Sequence, residues 1–246
     1  MIQYKRCWRR VAVAALALVL PAVLMAKTYI VCVGMQNYPG LVNDTHLCVK
    51  DAESVKWLYD KHGDAETLLL TDKQATKAQV AAAMRKLFAK AKPADAVAIF
   101  YSGHGDRGAL CLYDGNLSYQ TILSIFQSSK AKRRFAFINA CYSGTMRKKN
   151  EVGELKGKNV MFLLSSRSGE TSQEELTMKN GVFPTFLMQG LRGSADANKD
   201  RVITARELYD YVSSKVIERT QNEQHPVAWG HFPDDMPVMT WKNDNK

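Results

Sequence analysis

Two short segments carry residue types that could perform covalent chemistry. SGHG at 102–105 sets His104 between glycines, and NACYSG at 139–144 sets Cys141 shortly before another. A thiolate is the attacking form of cysteine, and an imidazole can take the thiol proton and later hand it to a leaving amine. The glycines allow a substrate backbone to approach closely and permit positive φ in the turns. The N–H groups of Gly105 and Cys141 are then candidate donors to a developing oxyanion. Alone, each segment is a packed thiol or a tight turn; the weight comes from their position, each directly after an apolar, strand-like run.

Those runs lie at 28–34, 66–71, 96–102, 134–140 and 159–166, and helical patterns separate them. Val49, Ala52, Val55 and Leu58 share one helical face. Val80, Met84, Leu87 and Ala91 share another, with Thr76 placed to cap it. A third helix starts at Ser118 and carries Ile122, Ile125 and Phe126; further helices are expected at 182–191 and 205–216. Alternation of this kind predicts a mostly parallel sheet flanked by helices, a three-layer α/β/α arrangement in one domain spanning 27–246. The strands are continuously apolar, as expected where helices cover both faces. Functional groups in open α/β sheets gather beyond the carboxyl ends of strands. If the third and fourth strands are neighbours with right-handed crossovers, His104 and Cys141 emerge at one edge.

Residues 1–26 read differently. Lys5, Arg6, Arg9 and Arg10 precede an apolar run broken by Pro21, shorter than the ~20 residues that span a bilayer. This is the layout of a cleaved signal peptide, so an exported protein, periplasmic or secreted, with no stable membrane insertion is expected. Losing those four basic residues lowers the formal net charge of +10 to +6. The remaining basic residues are scattered without interleaved aromatics, which argues against nucleic-acid binding. The composition, 46% hydrophobic and 24% charged, is that of an ordinary globular protein. Of Cys32, Cys48, Cys111 and Cys141 none shows zinc-ligand spacing; disulfides stay open, and Cys32 and Cys111 are expected to be buried in apolar runs.

The segment 196–207, DANKDRVITARE, fits a calcium-loop template: Asp196, Asn198 and Asp200, the Val202 carbonyl, Thr204 and Glu207. Arg201 stands where glycine normally makes the sharp turn. The expectation is a structural calcium ion, with no cofactor for catalysis; the competing reading is a polar, N-capped helix start.

YSGHG and INACYSG resemble the His and Cys motifs of the caspase-like peptidases, a group that includes caspases, metacaspases, legumains and clostripain-like enzymes. VGMQNYPG, LCVKDA at 47–52 and the stretch leading into SGHG resemble metacaspase-type sequences. The resemblance is continuous over 28–145 and weaker to about residue 216. It implies His104 as acid/base, Cys141 as nucleophile and Gly105 as oxyanion donor, in an endopeptidase acting through a thioester on a peptide or protein substrate. It also implies an acidic pocket for a basic P1 residue, formed by Cys48, Asp51, Ser102 and Asn139, the last standing where Asp is usual. Glu170 resembles the wall of that pocket and would restore the lost charge. Self-cleavage is implied in 145–158, where Arg147, Lys148, Lys149, Lys156 and Lys158 lie. Two further readings share these residues: a silent calcium-binding interaction protein, and a transpeptidase or ligase using the same pair. Oligomeric state is left open.

Overall fold

The computed structural model describes residues 26–40, 45–140, 159–170 and 178–240. Residues 1–25 of the proposed leader, the segment 145–158 and Cys141 itself lie outside the described residues.

Apolar β-branched runs form β1 (Thr28–Gly34), β2 (Ala65–Thr71), β3 (Ala96–Ser102), β7 (Arg133–Asn139) and β8 (Val160–Leu164), all parallel. Between β3 and β7 lie three short strands, β4 (Gly105–Asp106), β5 (Ala109–Leu112) and β6 (Gly115–Ser118), which make a small antiparallel sheet of their own. The helices are α1 (Cys48–His62), α2 (Lys77–Phe88), α3 (Tyr119–Ser128), α4 (Val182–Gln189) and α5 (Ala205–Arg219). β10 (Val227–His231) adds antiparallel to β8, and β9 (Val202–Thr204) pairs with β11 (Pro237–Thr240). The main sheet therefore runs β2-β1-β3-β7-β8-β10. It is the expected mostly parallel, helix-flanked fold.

Side-chain alternation splits the core in two. Val31, Val33, Val97, Ile99, Ala136, Ile138 and Phe162 face α2 and α3, whereas Ile30, Cys32, Ala98, Phe100, Phe135, Phe137 and Leu163 face α1, α4 and α5. On the first face Phe162 meets the edges of Trp229, Tyr119 and Phe126 with centroids 5.3, 6.0 and 6.2 Å away. Each such pair adds about 0.5–1.5 kcal/mol to the burial of its area. Helix starts obey local chemistry: the Thr76 and Ser118 hydroxyls accept from the N–H of Gln79 and Thr121, as N-caps do.

The strand order sets the functional edge. From β1 the chain passes by α1 to β2 on one side, then by α2 back across to β3 on the other, so the winding reverses between β1 and β3. Such a reversal opens a crevice at the carboxyl ends of the two strands. Among the described residues no helix is long and apolar enough to cross a membrane.

Candidate active site

β3 and β7 are adjacent, and their last residues, Ser102 and Asn139, pair directly. The ladder continues one step further, with the Gly103 N–H donating to the Asn139 carbonyl at 3.1 Å. His104 follows Ser102 by two residues, as Cys141 follows Asn139. Ala140, the last described residue before the cysteine, is buried and doubly held by Ser165, whose Oγ accepts from its N–H at 3.1 Å and donates to its carbonyl at 3.2 Å.

His104 is half-buried at the lip of the crevice, and its main chain is tightly tied. Its N–H donates to the Tyr38 hydroxyl at 2.7 Å, and its carbonyl accepts from the Cys111 N–H at 3.1 Å. The Tyr101 hydroxyl lies 2.7 Å from the same carbonyl and 2.6 Å from that of Cys111. Gly103 is required here by space. A Cβ on it would sit 2.5 Å from the Tyr101 hydroxyl, 2.6 Å from the Tyr38 hydroxyl and 2.9 Å from Met35 Cβ. Gly105 opens β4, opposite Leu110.

Asp51, Ser102 and Asn139 come together behind this lip. Asp51, on the inner face of α1, is fully buried, and both its oxygens are engaged. Oδ2 accepts from Ser102 Oγ at 2.8 Å and faces Asn139 Nδ2 at 3.5 Å; Oδ1 accepts from Asn180 Nδ2 at 2.9 Å and the Gly181 N–H at 3.0 Å. Asn139 Nδ2 also donates to Ser102 Oγ at 3.0 Å. Facing two oxygens, that end of the amide must be the amino group. Its Oδ1 is then a buried acceptor with no partner among the described residues. Among the described residues the cluster thus gathers neutral donors around one carboxyl group and leaves one amide oxygen unsatisfied. Cys48 sits one turn before Asp51, buried and close enough to Tyr38 to act on it electrostatically.

Asn180 escaped the sequence reading, being 129 residues from Asp51. It also lines a groove of about 660 Å³ between α1 and α4, walled by the half-exposed Trp57. No thiol or imidazole lines that groove among the described residues.

Glu170 is turned elsewhere. Its carboxylate accepts from the His225 N–H at 2.9 Å and the Arg167 N–H at 3.2 Å, and lies 2.9 Å from His225 Nδ1. Burial pushes its carboxyl up, but these donors outweigh it and hold the group below the usual range. Ser166 Oγ links the Glu170 carbonyl to that of Ala140. What this loop supports in the described residues is therefore the chain leading to Cys141, rather than the Asp51 cluster.

Cys32 and Cys111 are free thiols. Burial drives Cys32 far above its ordinary pKa. Cys111, expected to be buried, is only half-buried because β5 belongs to the small surface sheet.

In the 196–207 loop the proposed ligands satisfy the loop itself. Asp196 accepts from the N–H groups of Asp200 and Arg201, Asn198 Oδ1 from that of Asp200, and Asp200 Oδ1 from that of Val202. Thr204 and Glu207 form a reciprocal capping box at the start of α5. Arg201 adopts φ of 68° and Lys199 φ of 62°, the left-handed turn that glycine would adopt more easily. The Val202 carbonyl opens β9. Among the described residues no three His, Cys, Asp or Glu side chains converge on a point that could hold a metal ion. The donors are oxygen atoms chemically suited to calcium, and in the structure they accept from the loop's own N–H groups.

The structure is thus an α/β/α sandwich with an imidazole just past the carboxyl end of its third strand, beside a strand whose chain continues into a cysteine. The family model described as Caspase domain matches residues 27–236, and the chain belongs to that family. Members of the family are cysteine peptidases acting on peptide or protein substrates. Two solved structures share the fold. Caspase-1 from Spodoptera frugiperda is 15% identical with a TM-score of 0.66, over 90% of this chain and 94% of that one. Protein GSU0716 from Geobacter sulfurreducens is 18% identical with a TM-score of 0.64, over 88% of this chain and 100% of that one. No curated protein sequence gives a significant match.

Proposed function

We propose that this chain is an exported cysteine endopeptidase in which Cys141 is the nucleophile and His104 its proton partner. The observation that carries the reading is the register of β3 and β7, which pairs Ser102 with Asn139 and so starts both reactive turns from one level of the sheet. His104 takes the thiol proton as the sulfur attacks the scissile carbonyl. The oxyanion is received by the N–H groups of Gly105 and Cys141. Collapse expels the amine, which takes the proton from the imidazolium, and leaves a thioester. Water, deprotonated by His104, then attacks the thioester carbonyl; the acid departs and the thiol is restored.

Basic P1 residues are preferred. Asp51 is a buried carboxyl group among neutral donors, and Asn139 Oδ1 lacks a donor among the described residues; a Lys or Arg head group supplies both a positive charge and a hydrogen bond. The basic bonds in 145–158 are then candidate self-processing sites.

The test is a peptide-library cleavage profile of wild type beside Cys141→Ala and His104→Ala. Both variants should lose nearly all turnover while melting like wild type. Full turnover by Cys141→Ala refutes the mechanism, and a profile dominated by Asp or apolar P1 residues refutes the pocket. Wild type that remains one band while cleaving peptides refutes self-processing.

A further inference from the structure

Proton transfer between a thiol and an imidazole depends on where the imidazole stands, and a residue following a strand end between two glycines has little backbone stiffness of its own. His104 is such a residue, so something else must hold it. From the loop after β1, Tyr38 reaches across the crevice and contacts it twice. Its hydroxyl accepts from the His104 N–H at 2.7 Å, and its ring lies beneath the imidazole with centroids 4.7 Å apart at 37°. Tyr38 is itself buried, at 7% exposure, so it is fixed in place.

The protons can be followed further. The Tyr38 hydroxyl accepts from His104 and keeps its own proton to donate. The Tyr101 hydroxyl is 3.3 Å from it and has a single proton, which faces the carbonyls of His104 and Cys111. The two phenols thus form a circuit of contacts that connects the His104 N–H to the His104 carbonyl. Burial raises the pKa of both phenols, so the circuit stays neutral and intact wherever the thiol and imidazole titrate.

We propose that Tyr38 is a positioning residue for His104, anchoring its main chain through the hydroxyl and its imidazole through a tilted ring contact. This rests on the reading that His104 is the proton partner of Cys141. Without the hydroxyl, the His104 N–H loses this acceptor and the main chain is held from its carbonyl side, by Cys111 and Tyr101, with less restraint on the position of the imidazole. A displacement of about 1 Å at a reacting group can lower the rate about 100-fold.

The experiment compares Tyr38→Phe, His104→Ala and wild type as full chains by two readouts. One is kcat and KM on chromogenic arginyl and lysyl peptides. The other is the pH dependence of Cys141 labelling by iodoacetamide, located by mass spectrometry. Phe88→Leu, at the far end of α2, is the control for lost stability: it lowers the melting temperature and leaves kcat and the labelling profile in place. Tyr38→Phe is expected to lower kcat about 10- to 100-fold, with KM within about threefold, and to move the labelling midpoint from that of wild type towards that of His104→Ala. Tyr38→Phe with wild-type kcat and labelling profile overturns the proposal, as does a loss of kcat no larger than Phe88→Leu shows at equal melting temperature. If His104→Ala labels with the wild-type profile, the Cys-His reading itself has failed and the role given to Tyr38 falls with it.

Discussion

Asn139→Asp puts the structure of the acidic cluster to a quantitative test. The substitution is nearly isosteric and replaces an amino group 3.5 Å from Asp51 Oδ2 by a second carboxylate oxygen. Two like charges about 4 Å apart, at an effective dielectric of about 20, repel by about 4 kcal/mol. That is close to three pH units of displacement in the second ionisation of the pair. Ser102 has one proton to offer where two carboxylates now seek it, so hydrogen bonding relieves little of the repulsion. The folded variant thus holds a proton that the unfolded chain releases near pH 4. A carboxyl raised in the folded state makes stability fall as pH rises from the unfolded pKa to the folded one, with the full penalty above the latter. Melting curves from pH 4 to 8 should show the variant close to wild type at the acidic end and progressively less stable towards neutrality, by up to about 4 kcal/mol. A bound arginyl peptide aldehyde should recover much of that loss, and kcat/KM should shift further towards basic P1 substrates. A difference from wild type that does not change with pH, or an unaltered P1 profile, would refute the reasoning.

Gly103→Ala drives a methyl group into the Tyr101 and Tyr38 hydroxyls, and should cost about 1–3 kcal/mol of stability together with most peptidase activity; wild-type melting and turnover would contradict this. Glu207→Ala removes half of a capping box and should cost about 1 kcal/mol equally with and without calcium; a calcium-dependent melting shift that disappears in the variant would show that the loop rearranges to hold the ion. Glu170→Gln should flatten the acid limb of the stability curve. A carboxyl depressed in the folded state stabilises above its unfolded pKa, near 4.3, and that stability is lost as pH falls through the folded value. An unchanged acid limb counts against the His225 contact.

The long elements were legible because their signals are local. Continuous apolar runs gave β1, β3, β7 and β8 within a residue or two, and Thr76 and Ser118 marked helix starts that the structure realises. The small sheet after SGHG was missed because its strands have only two to four residues, too few for alternation to register. Its turns were nevertheless written in the chain: Gly108 and Gly115 have φ of 77° and 125°, and Asp114-Gly115 is a hairpin signal. β10 was missed because it carries Gly230, where a Cβ would come within 2.0 Å of the Val160 carbonyl oxygen. Asp51, Ser102 and Asn139 could be proposed together only through resemblance, since nothing local ties a helix residue to two strand ends. Asn180 and Tyr38 carry no local signal of their roles. The one is joined to Asp51, and the other to His104, by folding alone.

The burial of Asp51 also bears on the order in which the molecule assembles. Its four neutral neighbours come from the ends of β3 and β7 and the segment entering α4, up to 130 residues along the chain from Asp51 on α1. A chain emerging from synthesis has made α1, β3 and β7 long before residues 180 and 181 exist. Until those arrive, Oδ1 has lost both of its donors and the carboxylate must stay hydrated, which holds α1 away from its final seat against the sheet. Docking of α4, closure of the core on that face and completion of the acidic cluster are therefore one event. On the proposed reading, in which this cluster selects the substrate, this works as a safety interlock: the selecting wall is absent from any partly folded form that could meet its own unfolded sequence.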